Sequence, residues 1–309
     1  MILNDVNQTR QRLTDYISTI KRKQAAISKE LGLSTGTLSQ FLKGNYAGSN
    51  EDVARKAEQF LELERQRQCR TPTPSFTKEL RNTQLVYSTL EYLRVTNHIA
   101  LIIGAAGSGK TTALKHYADE NNGVIYVQAD VTKGSPRAAL NLIVKAMGLK
   151  KRGTSSEMLD TLIDELADTN RLIIIDEAQH LTERSFDTLR ALNDRAGVGL
   201  VYAGTPDILN RMYGRHEAEF DQVHSRIGYI CKLNNRYTQN DIQYIFSDFN
   251  LDKTIVKRLY NVSSRKGGLR IAINIFRLAS DIAKTSGEEL TVQHLEYAAK
   301  NVGSGESLP

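Results

Sequence analysis

The sequence predicts an α/β protein: a parallel-sheet core, an all-α domain before it and a helical domain after it. Three observations carry this reading. Helical patterning without proline fills residues 1–66 and gives way to a connector, 67–78, where Pro72 and Pro74 block helix and favour an extended chain. Over 79–234, short runs rich in Ile, Leu and Val alternate with amphipathic stretches, as expected for strands buried on both faces and joined by helices. Over 235–309 the patterning is helical only, with caps expected at Thr238 and Thr291.

Bulk properties bound the function. A chain of 309 residues exceeds one average domain, and its 40% hydrophobic and 25% charged content is ordinary for a soluble globular protein. No apolar run approaches the ~18 residues of a membrane span, and the polar start Met1–Arg10 lacks a signal core. Cys69 and Cys231 are far apart and have no metal-ligand neighbours, so neither a disulfide framework nor a zinc site is expected. A reducing cytoplasm is the expected location. The formal net charge of +6 favours polyanionic partners, because neutralising phosphates releases bound counterions.

The segment Lys23–Leu42 has helix-turn-helix form. Ala26, Ile27 and Leu31 supply an apolar face, Gly32 the turn, and Ser34 a cap for the second helix. Leu38 and Leu42 are expected to pack back on the first helix. That leaves Thr35, Thr37, Ser39, Gln40 and Lys43 outward, side chains suited to phosphates and base edges. Lys21, Arg22 and Lys23 just before the module favour DNA; a helix pair serving protein contacts is the alternative.

Strands are expected at Ile99–Ile103, Val124–Gln128, Leu172–Asp176 and Gly199–Ala203. The first runs into Gly104, Ala105, Ala106, Gly107, Ser108, Gly109, Lys110 and Thr111, and a helix from Thr112 to Asn121 follows. This is the G-x-x-x-x-G-K-[ST] pattern in its strand–loop–helix setting. Glycines let backbone N–H groups turn toward phosphate oxygens, and the helix N-terminus adds partial positive charge. Lys110 is suited to the β- and γ-phosphates and the Thr111 hydroxyl to Mg²⁺. The strand Leu172–Asp176 ends in two acids, at the carboxyl edge where open α/β sheets bind ligands. Asp176 is suited to hold Mg²⁺ through water, and Glu177 to act as general base on the attacking water. Together the motifs predict an ATPase that uses ATP and Mg²⁺.

The Asp-Glu pair resembles the AAA+ superfamily, and three further positions fit that resemblance. Thr205, at the end of Gly199–Thr205, matches the sensor 1 position, where Asn is commoner. Arg226, in Val223-His-Ser-Arg226-Ile-Gly, matches the arginine finger that reaches a neighbouring subunit's γ-phosphate. Arg270, in Lys266-Gly-Gly-Leu-Arg270, matches sensor 2, which meets the nucleotide as the lid packs down. An arginine supplied in trans makes hydrolysis depend on assembly, since it is worth about 10³–10⁵ in rate.

The ordered set resembles one family closely, the transposition target-selection ATPases of bacteriophage Mu and its prophage relatives. The residues that carry the likeness are Gly32–Thr37, the proline-containing linker, Ile173–Ala178, Ser225–Ile227 and Leu269–Ile271. The resemblance implies ATP-dependent, non-sequence-specific binding to double-stranded DNA and helical filaments of the protein on its target. It also implies recruitment and activation of a DDE transposase, and target immunity. In such a filament, the basic residues Lys145, Lys150, Lys151 and Arg152, with Lys133 and Arg137 nearby, are candidates to track the phosphate backbone. A replication initiator or helicase loader, and an ATP-switched transcription regulator, are the competing readings.

Overall fold

The computed structural model describes residues 2–20, 22–150, 153–213, 223, 225–234, 236–265 and 267–302, without the side chains of 2–4, 68 and 69. The expected basic pair Lys151 and Arg152 lies outside the described residues. The chain divides into two compact units, 1–72 and 73–309.

The first unit comprises α1 (Ile2–Thr19), α2 (Gln24–Glu30), α3 (Thr35–Leu42) and α4 (Asn50–Cys69). The turn between α2 and α3 forms as the residue types dictate. Gly32 takes a φ of +64°, and the Ser34 hydroxyl accepts from the Thr37 N–H at 3.0 Å. Leu38 and Phe41 are fully buried against Leu13, Ile27 and Ala57, whereas Leu42 is only partly buried. Phe41, not Leu42, is therefore the main anchor of α3. Helix α4 continues to Cys69, closer to the prolines than the composition shift at 66 indicates.

The second unit is built on five parallel strands in the order β2-β3-β4-β1-β5: β1 Ile99–Ile103, β2 Val124–Gln128, β3 Leu172–Asp176, β4 Gly199–Gly204 and β5 Ile227–Lys232. The central strands β1, β3 and β4 are buried along their whole length. That is why each reads as an unbroken apolar run. On one face pack α7 (Pro136–Ala146), α8 (Ser155–Leu166) and α9 (Glu183–Ala196); on the other, α5 (Arg81–Thr96) and α6 (Lys110–Glu120). A short helix α10 (Asp207–Met212) follows β4. Strand β5 was not expected. It is an edge strand with exposed Gly228 and Tyr229, so it lacks the apolar run that reveals the others.

Among the described residues, four α-helices follow the sheet in its C-terminal part: Gln239–Ile245, Lys253–Ser263, Gly268–Ser286 and Val292–Asn301. They share a core of Ile242, Phe246, Leu259, Phe276 and Leu295. Two of them start at the expected caps. Thr238 exchanges hydrogen bonds with Asp241, and Thr291 with His294, each a reciprocal capping box.

Candidate nucleotide site

The site is assembled from the loop between β1 and α6, the carboxyl ends of β3 and β4, and the helix Gly268–Ser286. These elements line a cavity of about 350 Å³ bordered by 106–112, Glu177, Thr205, Leu269, Arg270, Ile273 and Asn274. Ala106 and Thr205, 99 positions apart, meet there because the parallel sheet sends every strand's carboxyl end to one edge, and the helix Gly268–Ser286 packs over that edge.

The loop's backbone departs from what most residues tolerate. Gly107 and Gly109 take φ of +85° and +84°, and α6 begins at Lys110, two residues before the expected Thr112. Gly104 leaves no space for a side chain: a Cβ there would stand 2.7 Å from Ser108 Oγ. Ser108 is 1% exposed, and its Oγ has no hydrogen-bond partner among the described residues. A polar atom so placed, in a glycine-built concavity opening at a helix N-terminus, fits an anionic ligand such as phosphate. The Lys110 ammonium folds back onto the Gly104 and Ala105 carbonyls at 2.7 and 3.3 Å. Burial lowers its pKa, and the Arg270 cation acts in the same direction; the Asp176 and Glu177 carboxylates work against them.

Asp176 is fully buried, at the end of a strand whose four preceding residues are almost wholly buried as well. Each of those side chains contributes about 1.5–3 kcal/mol of burial, enough to hold the strand end in place. The carboxylate itself is satisfied by three donors: the Glu177 N–H to Oδ1 at 2.9 Å, and the Thr111 hydroxyl at 2.7 Å and Tyr126 hydroxyl at 2.9 Å to Oδ2. Thr111 and Asp176, expected to share Mg²⁺, are thus adjacent, and their all-oxygen donor set suits that hard cation. Burial, followed by the Asp176 charge, raises the Tyr126 pKa far above that of a free tyrosine, so its hydroxyl stays a donor.

Glu177 has φ +55° and ψ +35°, a conformation uncommon for a residue with a side chain. Its carboxylate accepts from the Gln179 amide, whose oxygen in turn accepts from the Thr205 N–H at 3.3 Å. Gln179 so bridges the ends of β3 and β4. Arg211 holds this turn from below by donating to the Gln179 and Leu181 carbonyls at 2.9 and 3.0 Å. The Thr205 hydroxyl donates to Asp207 at 3.0 Å although the residue borders the cavity. Sequence reasoning missed Tyr126, Gln179 and Arg211, because none belongs to a spaced motif; only the Gln of Asp176-Glu-Ala-Gln179 stood near one.

Arg226 is not brought to this cavity. It precedes β5, is about half exposed, and pairs with Asp194 of α9 at 3.2 Å. Lys145 and Lys150 are exposed around the end of α7. In the first unit Thr35, Gln40 and Lys43 are exposed and Ser39 partly so. Thr37 is partly occupied, its hydroxyl lying 2.9 Å from that of Ser34.

Comparison with known proteins agrees with this geometry. A family model described as "AAA domain" matches residues 93–212. Among solved structures, the ORC2 protein of Aeropyrum pernix (ADPNP–ADP complexes) superposes with a TM-score of 0.57 at 20% identity, covering 76% of this chain and 71% of that one. Domain III of the Thermotoga maritima replication initiation protein DnaA gives 0.50 at 17% identity, covering 75% and 98%. At such identities the likeness is one of fold. The chain has the α/β P-loop ATPase fold, with a match to the AAA domain over residues 93–212.

A second family model, "Mu B transposition protein, C terminal", matches residues 225–302. The "Mu-like prophage FluMu DNA transposition protein B" of Haemophilus influenzae is 29% identical over 275 residues, 86% of this chain and 93% of that protein. The "ATP-dependent target DNA activator B" of Escherichia phage Mu is 27% identical over 304 residues, 96% of each. Over most of its length the chain is similar to the Mu transposition B proteins. Among the described residues no helix is long and apolar enough to cross a membrane.

Proposed function

We propose that this chain hydrolyses ATP to control its hold on target DNA, and that in the ATP state it delivers that DNA to a DDE transposase. The observation that carries the reading is the meeting, around one cavity, of the phosphate loop, Glu177 at the end of β3 and Arg270, with Asp176 buried behind and bonded to Thr111. The names of relatives that span nearly the whole chain support the DNA and transposition part of it.

The roles follow from position. The loop 104–111 cradles the phosphates, with Thr112 continuing the helix behind them, and Lys110 and Arg270 offset their charge. Thr111 and Asp176 hold Mg²⁺, which when bound neutralises charge on the phosphates. Glu177 takes the proton of the attacking water, and Thr205 helps to orient that water. Arg226, standing apart from its own subunit's cavity, serves the next subunit in an ATP-dependent helical assembly. Thr35, Thr37, Ser39, Gln40 and Lys43 of the first unit, and Lys145, Lys150, Lys151 and Arg152 of the second, contact the DNA backbone without sequence preference.

Electron microscopy of the protein with random-sequence DNA tests the reading. Filaments are expected with ATP and absent with ADP. Binding confined to one defined sequence, or filaments indifferent to the nucleotide, would overturn it.

A further inference from the structure

Two side chains outside the cavity grip the phosphate loop from behind. Asn82, at the start of α5, is 8% exposed, and its amide donates to the Ser108 carbonyl at 3.1 Å and to the Asn234 carbonyl at 2.6 Å. Tyr237, 6% exposed and two residues before the first lid helix, donates its hydroxyl to the Gly107 carbonyl at 3.1 Å. Two consecutive carbonyls of the loop are therefore held by two different elements. Neither side chain belongs to the G-x-x-x-x-G-K-[ST] pattern, and neither lines the cavity.

The consequence comes from the planarity of the peptide unit. In a trans peptide the C=O and the next N–H point in opposite directions, so fixing one fixes the other. The peptide joining Gly107 and Ser108 is fixed at both ends, by Tyr237 on its oxygen and by the Ser108 N–H donating to Ala105 O at 3.2 Å. The peptide joining Ser108 and Gly109 is fixed at its oxygen by Asn82. Its N–H, that of Gly109, is thereby turned to the opposite side, and Gly109 borders the cavity. Both glycines at positive φ have backbone freedom to lose, and a loop left free would have to spend that ordering entropy when a ligand binds.

We infer that Asn82 and Tyr237 are positioning residues that preset the phosphate loop for its anionic ligand and tie its shape to the position of the lid. Tyr237 leads directly into Thr238, the cap of the lid's first helix, and Asn82 also holds Asn234, which follows β5. Any displacement of the lid root thus reaches the Gly107 carbonyl through a single hydrogen bond. Burial pushes the Tyr237 hydroxyl up to about 12, so it remains a donor at every pH at which the protein would be assayed. Close backbone approach reinforces the tie: a Cβ on Gly107 would run into the Gly267 carbonyl of the lid.

The inference rests on the ATPase reading, and binding of a fluorescent ATP analogue to the wild-type chain tests that reading first. No binding by the wild type would sink the reading itself. With binding established, Tyr237→Phe and Asn82→Ala are each expected to weaken affinity about 3- to 10-fold, the net worth of one hydrogen bond. The KM for ATP should rise correspondingly while kcat stays within about twofold. A residue needed only for folding would not split the two constants in this way. Tyr237→Phe keeps the ring in its pocket, so a melting temperature lowered only slightly without nucleotide and a clearly smaller rise on adding ATP are the expected pair of results. Wild-type affinity in both variants, or a fall in kcat with KM unmoved, would overturn the assignment.

Discussion

Replacing Gly107 by Ala separates the intrinsic strain of a left-handed residue from the packing of lid on loop. Gly107 has φ +85°, and a Cβ there would meet the Gly267 carbonyl, with the carbonyl carbon at 2.9 Å. Both atoms are backbone and have no rotamer to adopt. Restoring the carbon to ordinary contact at 3.4 Å needs about half an ångström of retreat, and the oxygen needs more. A retreat of that size along the Tyr237–Gly107 hydrogen bond, now 3.1 Å, takes it past bonding distance. The left-handed conformation itself costs Ala about 1–2 kcal/mol. Losing the Tyr237 bond and part of the Arg270 contribution to a phosphate adds about 2–4 kcal/mol to the cost of binding, roughly 30- to several-hundred-fold in Kd. Gly197→Ala is the control: it has φ +65° at the end of α9 but nothing within 4 Å of the added methyl. It should lose stability to a similar strain and bind nucleotide as the wild type does. Titration of a fluorescent ATP analogue into both variants, with melting curves alongside, provides the comparison. If Gly107→Ala bound within twofold of wild type, the close approach of loop and lid would be wrong.

Other perturbations follow from the same geometry. Tyr126→Phe leaves Asp176 two of its three donors and should reduce kcat about 3- to 10-fold with little change in KM; steady-state hydrolysis at saturating Mg²⁺ measures it, and an unchanged kcat would dismiss the bond as incidental. Gln179→Ala frees Glu177 from the end of β4 and should cut kcat about tenfold, whereas undiminished turnover would show that Glu177 orients itself. Arg226→Ala alone should hydrolyse poorly, yet mixing it with Lys110→Ala subunits should recover activity, since each supplies what the other lacks; no recovery in the mixture argues against a finger in trans. Stability should fall steeply at alkaline pH. Burial pushes Tyr117 and Tyr237 each up to about 12 in the fold, reinforced at Tyr117 by the Glu91 hydrogen bond and opposed at Tyr237 by Asn82, against 10.0 for a free tyrosine. A raised folded pKa contributes stability that is complete below pH 10 and is lost between about 10 and 12. Urea midpoints over that range should drop by at least two protons' worth of slope, and Tyr237→Phe should remove one of them; a flat profile would contradict both burials.

How much of this was legible beforehand depends on how far apart in sequence the cooperating atoms lie. The phosphate loop is a run of consecutive residues whose conformation is set by its own glycines, so Gly104 to Thr111 could be read directly. The central strands were equally plain, because a strand covered on both faces must be apolar throughout, as Leu172–Ile175 is. The caps at Ser34, Thr238 and Thr291 depend on contacts three residues away and were legible for the same reason. Strand β5 escaped because its edge position permits Gly228 and Tyr229 to face outward. On α3 Leu38 and Leu42 were expected to face inward, and packing against Leu13 and Ile27 buries Leu38 and Phe41 fully while Leu42 is only partly covered.

Neighbouring residues alone specify that a loop of this chain is shaped for phosphate and that two acids end a buried strand. Those properties come from local backbone freedom and from hydrophobic runs, which neighbouring residues specify. Which atoms complete them is set by long-range packing. Tyr126 reaches Asp176 across 50 positions, Asn82 reaches Asn234 across 152, and Tyr237 reaches Gly107 across 130. No periodicity or spacing encodes such pairs. They exist because a parallel sheet gathers its strand ends at one edge and the lid folds back over them, placing a buried hydroxyl or amide beside a polar group that burial obliges it to satisfy.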